Sequence, residues 1–522
     1  MITAVHLISC ILLIVSQHTV NSLVPRPLKY KMGESLCSLA ELLSAEHNYP
    51  SCYILKEALK VFNKRFLVRQ LQKPNVEGVS CSINTLNIVI KEGCDETENK
   101  LWPSEYMDES YTISIMDERI DIESNEVWGT LHALQTIIQL VHRSKWGALV
   151  INEYSIEDSP RFIHRGFLVD TARHYISVDE IEKFIDAMAI VKMNVFHWHM
   201  TDDSSFPYVS SSYPQLSLKG AYNPQIYVYE NTDVVRVIEY ARLRGIRVMV
   251  EFDTPSHTKS WENGYPGVRT NCYNGDELDG ETGPFNPANE TTFEFLKEFY
   301  REITSIFLEG YIHLGGNDVS YSCWQSNPEV LNFMNVMNFG DDFGKLESYY
   351  FDHLTEVIQS VQPEGYAVTP VVWQDVYENG YRPSNATVIH VRKAEDWPQL
   401  VKSITSDGYR VILSSCWQIN NANFSGDWYD YYECDPGAFE GTEDEQQLVV
   451  GGEAILFGEY VDESNLFTRS WPDGAVVAER LWSQGEFDVY ELKPRLTELR
   501  CHMRDFGMNP QPVNEPTNCL QP

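Results

Sequence analysis

Positive charge is scarce in this sequence. Forty Lys and Arg residues stand against 75 Asp and Glu, a formal net charge of −35. So acidic a surface repels nucleic acid and anionic membranes, and neither is an expected partner. It suits a soluble protein of the extracellular space or of an acid compartment. No cysteine lies in a C-x-x-C pair, so a common zinc-ligand signature is missing. Beyond the first 22 residues no segment is long and apolar enough to span a bilayer, and stable membrane insertion is not expected. Internal repeats and low-complexity tracts are also lacking. What is present is the composition of a packed globular chain, 43% hydrophobic and 12% aromatic. Its 522 residues exceed one small core and point to two domains, or a barrel with an addition.

Residues 1–22, MITAVHLISCILLIVSQHTVNS, read as a signal peptide, although basic residues before the apolar run are missing. Eleven cysteines occur, and Cys10 falls in that segment. The other ten are Cys37, Cys52, Cys81, Cys94, Cys272, Cys323, Cys416, Cys434, Cys501 and Cys519. An even number in a secreted chain predicts disulfides. Asn289-Glu-Thr, Asn385-Ala-Thr and Asn423-Phe-Ser are N-glycosylation acceptors on the same route.

The stretch 23–158 reads as a small α+β domain. Residues 86–90 and 111–115 are rich in β-branched side chains and predict strands, and 127–141 carries helical spacing. From 159 to 505 the rhythm changes. Short apolar runs recur at 162–169, 193–200, 246–252, 311–314, 369–373, 387–391, 410–413 and 454–457, mostly separated by helical stretches. Eight strands in β-α alternation is the count of a (β/α)₈ TIM barrel, so the fold class is α/β. Ser177-Val-Asp-Glu180 reads as a capping box, and Thr232 as the cap of a helix ending near Gly245. Residues 506–522 form a C-terminal tail.

In such a barrel the chemistry gathers at the C-terminal strand ends. There the sequence places Asp170, Arg173 and His174, then His197-Trp-His199 and Asp202-Asp203. It goes on to Glu251-Phe-Asp253 and His257, His313-Leu-Gly-Gly-Asn317-Asp318, Trp373-Gln-Asp375, and Phe457-Gly-Glu459. Carboxylates and a guanidinium grip hydroxyls, and rings cover the apolar face of a sugar. His197 and His199 alternate on one strand and could share a metal. No third ligand follows at a convincing spacing, so no metal and no cofactor are expected.

These residues resemble glycoside hydrolase family 20, and within it the lysosomal-type β-hexosaminidases. The resemblance lies in Arg165-Gly-Phe-Leu-Val-Asp-Thr-Ala-Arg-His174, Asn194-Val-Phe-His-Trp-His199, Glu251-Phe-Asp-Thr-Pro255, His313-Leu-Gly-Gly316, Gly451-Gly-Glu453, Glu479-Arg-Leu-Trp-Ser483 and Val127-Trp-Gly-Thr-Leu131. It implies an α+β domain before the barrel. It also implies removal of terminal β-linked N-acetylhexosamine by a retaining mechanism in which the substrate's own acetamido oxygen is the nucleophile. By resemblance, Arg173 holds sugar hydroxyls, Asp202 and His257 support the pocket, Trp373 is a wall, and Glu459 reads the 4- and 6-hydroxyls. It further implies disulfides Cys52–Cys94, Cys272–Cys323 and Cys501–Cys519, the last tying back the tail. The pairing of Cys37, Cys81, Cys416 and Cys434 is left open, with Cys37–Cys81 and Cys416–Cys434 as first choice. A homodimer and a lysosomal or extracellular location are implied as well.

The departures fall on the reaction centre. The family's Asp-Glu pair is Asn317-Asp318 here, its acetamido-binding Tyr is Gln418, and two pocket Trp positions are Arg392 and Phe457. Asp318 keeps a carboxyl but loses a methylene. Asn317 can hydrogen-bond an acetamido group but cannot balance positive charge. Arg392 adds a cation that can pair with Asp318 and make it a poorer acid. Two expectations follow: a β-N-acetylhexosaminidase of reduced or shifted activity, or a pseudoenzyme that binds glycans or serves a structural secreted role.

Overall fold

The computed structural model describes residues 23–69, 78–144, 148–393, 395–419, 427–485, 487–513 and 519. The signal segment 1–22 and the acceptor Asn423 lie outside these residues. Six strands form an N-terminal sheet: β1 (Lys29–His47), β2 (Cys81–Ile90), β3 (Tyr111–Met116), β4 (Arg119–Ser124), β5 (His142–Arg143) and β6 (Leu149–Asp158). Their order is β1-β2-β4-β3-β6-β5, and β1 pairs with β6 as well as β2. Helices Tyr53–Arg69 and Val127–Leu140 pack on it, the second buried along nearly its whole length. Disulfides Cys37–Cys81 and Cys52–Cys94 cross-link this region.

The barrel follows. β7 (His164–Asp170), β8 (Val195–Thr201), β9 (Arg247–Thr254), β12 (Tyr311–Gly315), β13 (Thr369–Trp373), β14 (Val388–Val391), β15 (Arg410–Leu413) and β16 (Val449–Leu456) close in that circular order, with every pair parallel. Between β9 and β12, β10 (Arg269–Asn274) and β11 (Glu277–Phe285) make a hairpin. Disulfide Cys272–Cys323 ties that hairpin to the segment after β12. Cys416–Cys434 and Cys501–Cys519 close two further loops. Arg165 on β7 donates to Glu109 at 2.5 Å, a buried pair joining barrel to N-terminal region.

Three local expectations need correction. The last strand starts at Val449, five residues before the expected run, because Gly451 and Gly452 continue it. A Cβ at Gly451 would lie 1.8 Å from the His164 carbonyl oxygen, so glycine here reflects close strand approach, not a turn. Ser177 precedes helix Val178–Ile190 but makes no capping box. Its N–H donates to Glu463 at 2.6 Å, while Glu180 pairs with Lys183. Helix Asn231–Arg242 is capped one residue outside itself by Glu230 and not by Thr232. Glu230 N–H donates to Asp233 at 3.0 Å. Among the described residues no helix is long and apolar enough to cross a membrane. Asn385 is exposed, whereas Asn289 caps helix Glu290–Ile306 through its Oδ1.

Candidate active site

The barrel interior carries charge along its length. Glu453 on β16 accepts from His164 Nε2 (2.6 Å) and His197 Nδ1 (2.7 Å). Glu251 on β9 accepts from His199 Nδ1 (2.5 Å) and Trp373 Nε1 (2.7 Å), with His197 Nε2 and His313 Nδ1 each at 3.3 Å. His390 joins His313 (3.3 Å) to Ser414 (2.7 Å). All these side chains are buried. Burial works against every charge here. At His197 it is outweighed by Glu453 and Glu251, which lift the imidazole to about 9, and at His199 Glu251 and Asp170 likewise raise it well above the ordinary histidine value. At His313 burial prevails and lowers the pKa to about 3. Two imidazolium ions thus face two carboxylates, Glu251 and Glu453, both held well below the usual carboxylate range. The internal charge closes.

This lattice supports one wall of a pocket at the C-terminal strand ends. His199 Nε2 donates onward to Asp202 at 3.1 Å. Asp202 meets Arg173 Nη2 at 2.9 Å and lies 3.4 Å from His257 Nδ1. Arg173 also donates to Asp170 at 2.6 Å and stands 3.7 Å from Glu459. The Phe457 ring lies 5.3 Å from the guanidinium, and Trp373 is fully buried behind it. Burial lowers the pKa of His257, but Asp253 and Asp202 outweigh that effect and bring it to about 9. Burial drives Asp253 up to about 7.

The opposite wall follows β12. Gly315 and Gly316 both have positive φ, and a Cβ on Gly315 would fall 2.0 Å from Asp253 Oδ1. That turn delivers Asn317 and Asp318. Asn317 Nδ2 is 3.4 Å from His257 Nε2, and its buried Oδ1 has no hydrogen-bond partner among the described residues. Asp318 is 60% exposed at its side chain and is held by two cations. Arg392 Nη2 donates to Oδ2 at 3.3 Å, and Lys393 Nζ contacts Oδ1 while also donating to Asp375 at 2.6 Å. Partial burial pushes the Asp318 carboxyl up. The Lys393 bond and charge, then Arg392 and His257, outweigh it and hold the group below the ordinary aspartate range.

The residues singled out from sequence therefore converge. Arg392 lies 5.5 Å from the Trp373 ring and 5.9 Å from Phe457. Gln418, at the position of the expected acetamido-binding Tyr, donates an amide N–H to the Arg392 carbonyl at 2.5 Å. Lys393 was missed. It directly follows Arg392 at the end of β14, and the strand-end rule applied to that strand would have found it. The missing third ligand beside His197 also exists in space. Among the described residues, His197–Glu251–His313, His197–His390–Glu453 and Asp202–Asp203–His257 each bring ligand atoms within 4.8 Å. In the first group Glu251 already accepts from His199 Nδ1 and Trp373 Nε1, and in the second Glu453 already accepts from His197 Nδ1. A metal at ordinary coordination distance would have to break those bonds.

Two family descriptions match the chain: "Glycosyl hydrolase family 20, catalytic domain" over residues 162–485 and "beta-acetyl hexosaminidase like" over 23–140. The chain is 45% identical over 431 residues to β-hexosaminidase subunit alpha of Bos taurus, covering 82% of this chain and 80% of that one. It is 40% identical over 503 residues to the human β-hexosaminidase subunit beta, covering 94% and 88%. Among solved structures it resembles a β-N-acetylhexosaminidase from Bacteroides fragilis. The TM-score is 0.74 at 23% identity, over 94% of this chain and 97% of that one, a likeness that speaks to fold. On these matches and the closed barrel beneath them, the chain belongs to glycosyl hydrolase family 20.

Proposed function

We propose that this chain hydrolyses terminal β-linked N-acetylglucosamine or N-acetylgalactosamine from glycoconjugates, by the substrate-assisted retaining route and with low turnover. Arg173 holds the sugar hydroxyls, with Asp202 and His257 behind it and Glu459 reading the far hydroxyls. Phe457 covers the ring, with Trp373 packed behind it. The acetamido oxygen of the substrate attacks the anomeric carbon while Asp318 passes a proton to the leaving oxygen. Asn317 orients the acetamido group by hydrogen bonding. The positive charge that develops there lacks a carboxylate partner, and losing one preorganised partner of this kind costs about 3–4 kcal/mol in the transition state. The shorter reach of Asp318 adds to the deficit. No cofactor has a step in this scheme.

The observation that carries the reading is the unbroken run Arg173–Asp202–His199–Glu251–Trp373, a preorganised sugar-holding wall. The test is turnover of chromogenic β-GlcNAc and β-GalNAc substrates from pH 3.5 to 7.5, scanned around the acid range where Asp318 titrates. Turnover that vanishes in Asp318→Ala supports the proposal. A folded protein with no turnover refutes it.

A second reading, glycan binding without hydrolysis, is favoured by the grip of Lys393 and Arg392 on Asp318, since a carboxyl held ionised is a poor proton donor. Calorimetric binding of N-acetylglucosamine by a chain that does not turn over would support it. The resemblance and the ten cysteines also support a secretory route ending in the lysosome or outside the cell. We further propose a homodimer, a domain division near residue 158, and glycans at Asn289, Asn385 and Asn423.

A further inference from the structure

Helices Tyr53–Arg69 and Val127–Leu140 of the N-terminal region face helices Val178–Ile190 and Asn231–Arg242 of the barrel. Between them lies a cavity of about 270 Å³, remote from the residues of the pocket above. At liquid density it would hold about nine waters, yet most of its wall is apolar, including Val61, Phe62, Leu131 and Leu134, and such walls bind water poorly.

One side of the cavity is charged. Asp186 Oδ1 accepts from Arg244 Nε at 2.5 Å and lies 3.9 Å from Arg65 Nη2, and Tyr240 Oη donates to Oδ2 at 3.1 Å. One carboxylate thus serves two guanidinium groups. Glu57, the other acid on the wall, is bound by Lys60 at 2.5 Å. Arg65 is buried, and burial, countered in part by Asp186, pulls its pKa down. Among the described wall residues the two guanidinium groups share the one carboxylate of Asp186, Arg65 Nη1 donating also to Gln135 Oε1 at 2.8 Å, and the rest of the space is greasy. We propose that this cavity is a binding site for a small amphipathic carboxylate, its head between Arg65 and Arg244 and its short hydrocarbon tail against Phe62, Leu131 and Leu134.

Calorimetric titration of the full chain with octanoate tests the proposal, with octanol as the uncharged control. Octanoate is expected to bind with a Kd on the order of 0.1 mM and octanol at least about tenfold more weakly. Arg244→Gln should weaken octanoate at least about fivefold and leave octanol unchanged. Its side chain is partly exposed, so the variant is expected to fold, and a thermal melt checks this. Val61→Trp, which fills the cavity, should abolish both. Should that variant unfold, Arg244→Gln still decides. No saturable heat at millimolar octanoate would overturn the proposal. So would equal binding of octanol, an unchanged affinity in folded Arg244→Gln, or displacement of octanoate by N-acetylglucosamine.

Discussion

On one wall of the pocket, Arg173 is fixed by Asp170 and Asp202, and Asp202 is fixed in turn by His199 and Glu251 inside the barrel. On the other, Asp318 stands 60% exposed on a glycine turn and is restrained only by neighbouring cations. The first wall is tied to the fold, and the second is hung on it. A residue bound into a buried ion lattice cannot change without leaving a bare charge behind. A residue on an exposed turn can. The contrast fits the departures read from the resemblance at Asn317, Asp318, Arg392 and Gln418, which stand on the second wall, although Phe457 stands on the first.

The largest effect should come from the lattice. Glu251→Gln leaves His199 and His197 without their shared counter-charge, and breaking such a buried pair typically costs about 3–5 kcal/mol. A urea midpoint unchanged from the parent would break the contrast between the walls. Next comes pH. His197 and His257 titrate near 9 in the folded protein against an ordinary 6.5, so the folded state binds more protons than the unfolded chain between those values. Their contribution is full below pH 6.5 and is lost as pH rises toward 9, at most about 3 kcal/mol apiece. Asp253, raised to about 7, adds loss of the same sign at lower pH. Thermal melts from pH 6.5 to 9 should therefore fall, and a rising melting temperature would count against imidazolium ions in the barrel.

The leaving-group wall should respond in rate. Asn317→Asp with Asp318→Glu is expected to raise turnover of the chromogenic substrates by about 10- to 100-fold, by restoring charge and reach. If the double variant stays inactive, Arg392 and Gln418 have remodelled that wall beyond repair by two residues. The smallest effect belongs to Lys393→Met. It should change stability by no more than about 0.5 kcal/mol yet move the Asp318 titration upward, read by carboxyl NMR. An unmoved titration would remove Lys393 from the account.

Much of this was legible. Runs of apolar residues between polar ends announced a parallel barrel, and the same ends announced the pocket. The lattice was not legible, because its bonds join residues far apart in sequence, 289 positions for His164–Glu453 and 256 for His197–Glu453. Strand β1 was also hidden. Its sequence, KYKMGESLCSLAELLSAEH, is rich in Leu, Ala and Glu, which favour helix, and it is held extended by pairing with β2 and β6. Lys393 escaped because its role lies in a contact with a residue 75 positions away.

The turn that carries Asp318 has one more consequence. Its φ is 48°, a left-handed conformation that Asp and Asn enter far more readily than longer side chains. Glu at this position would gain reach toward a leaving group while straining the backbone that presents it. Activity and conformational ease therefore oppose one another at a single residue. Where demand for turnover relaxes, the shorter acid is the more comfortable occupant, and the exchange needs no adjustment in the glycines before it.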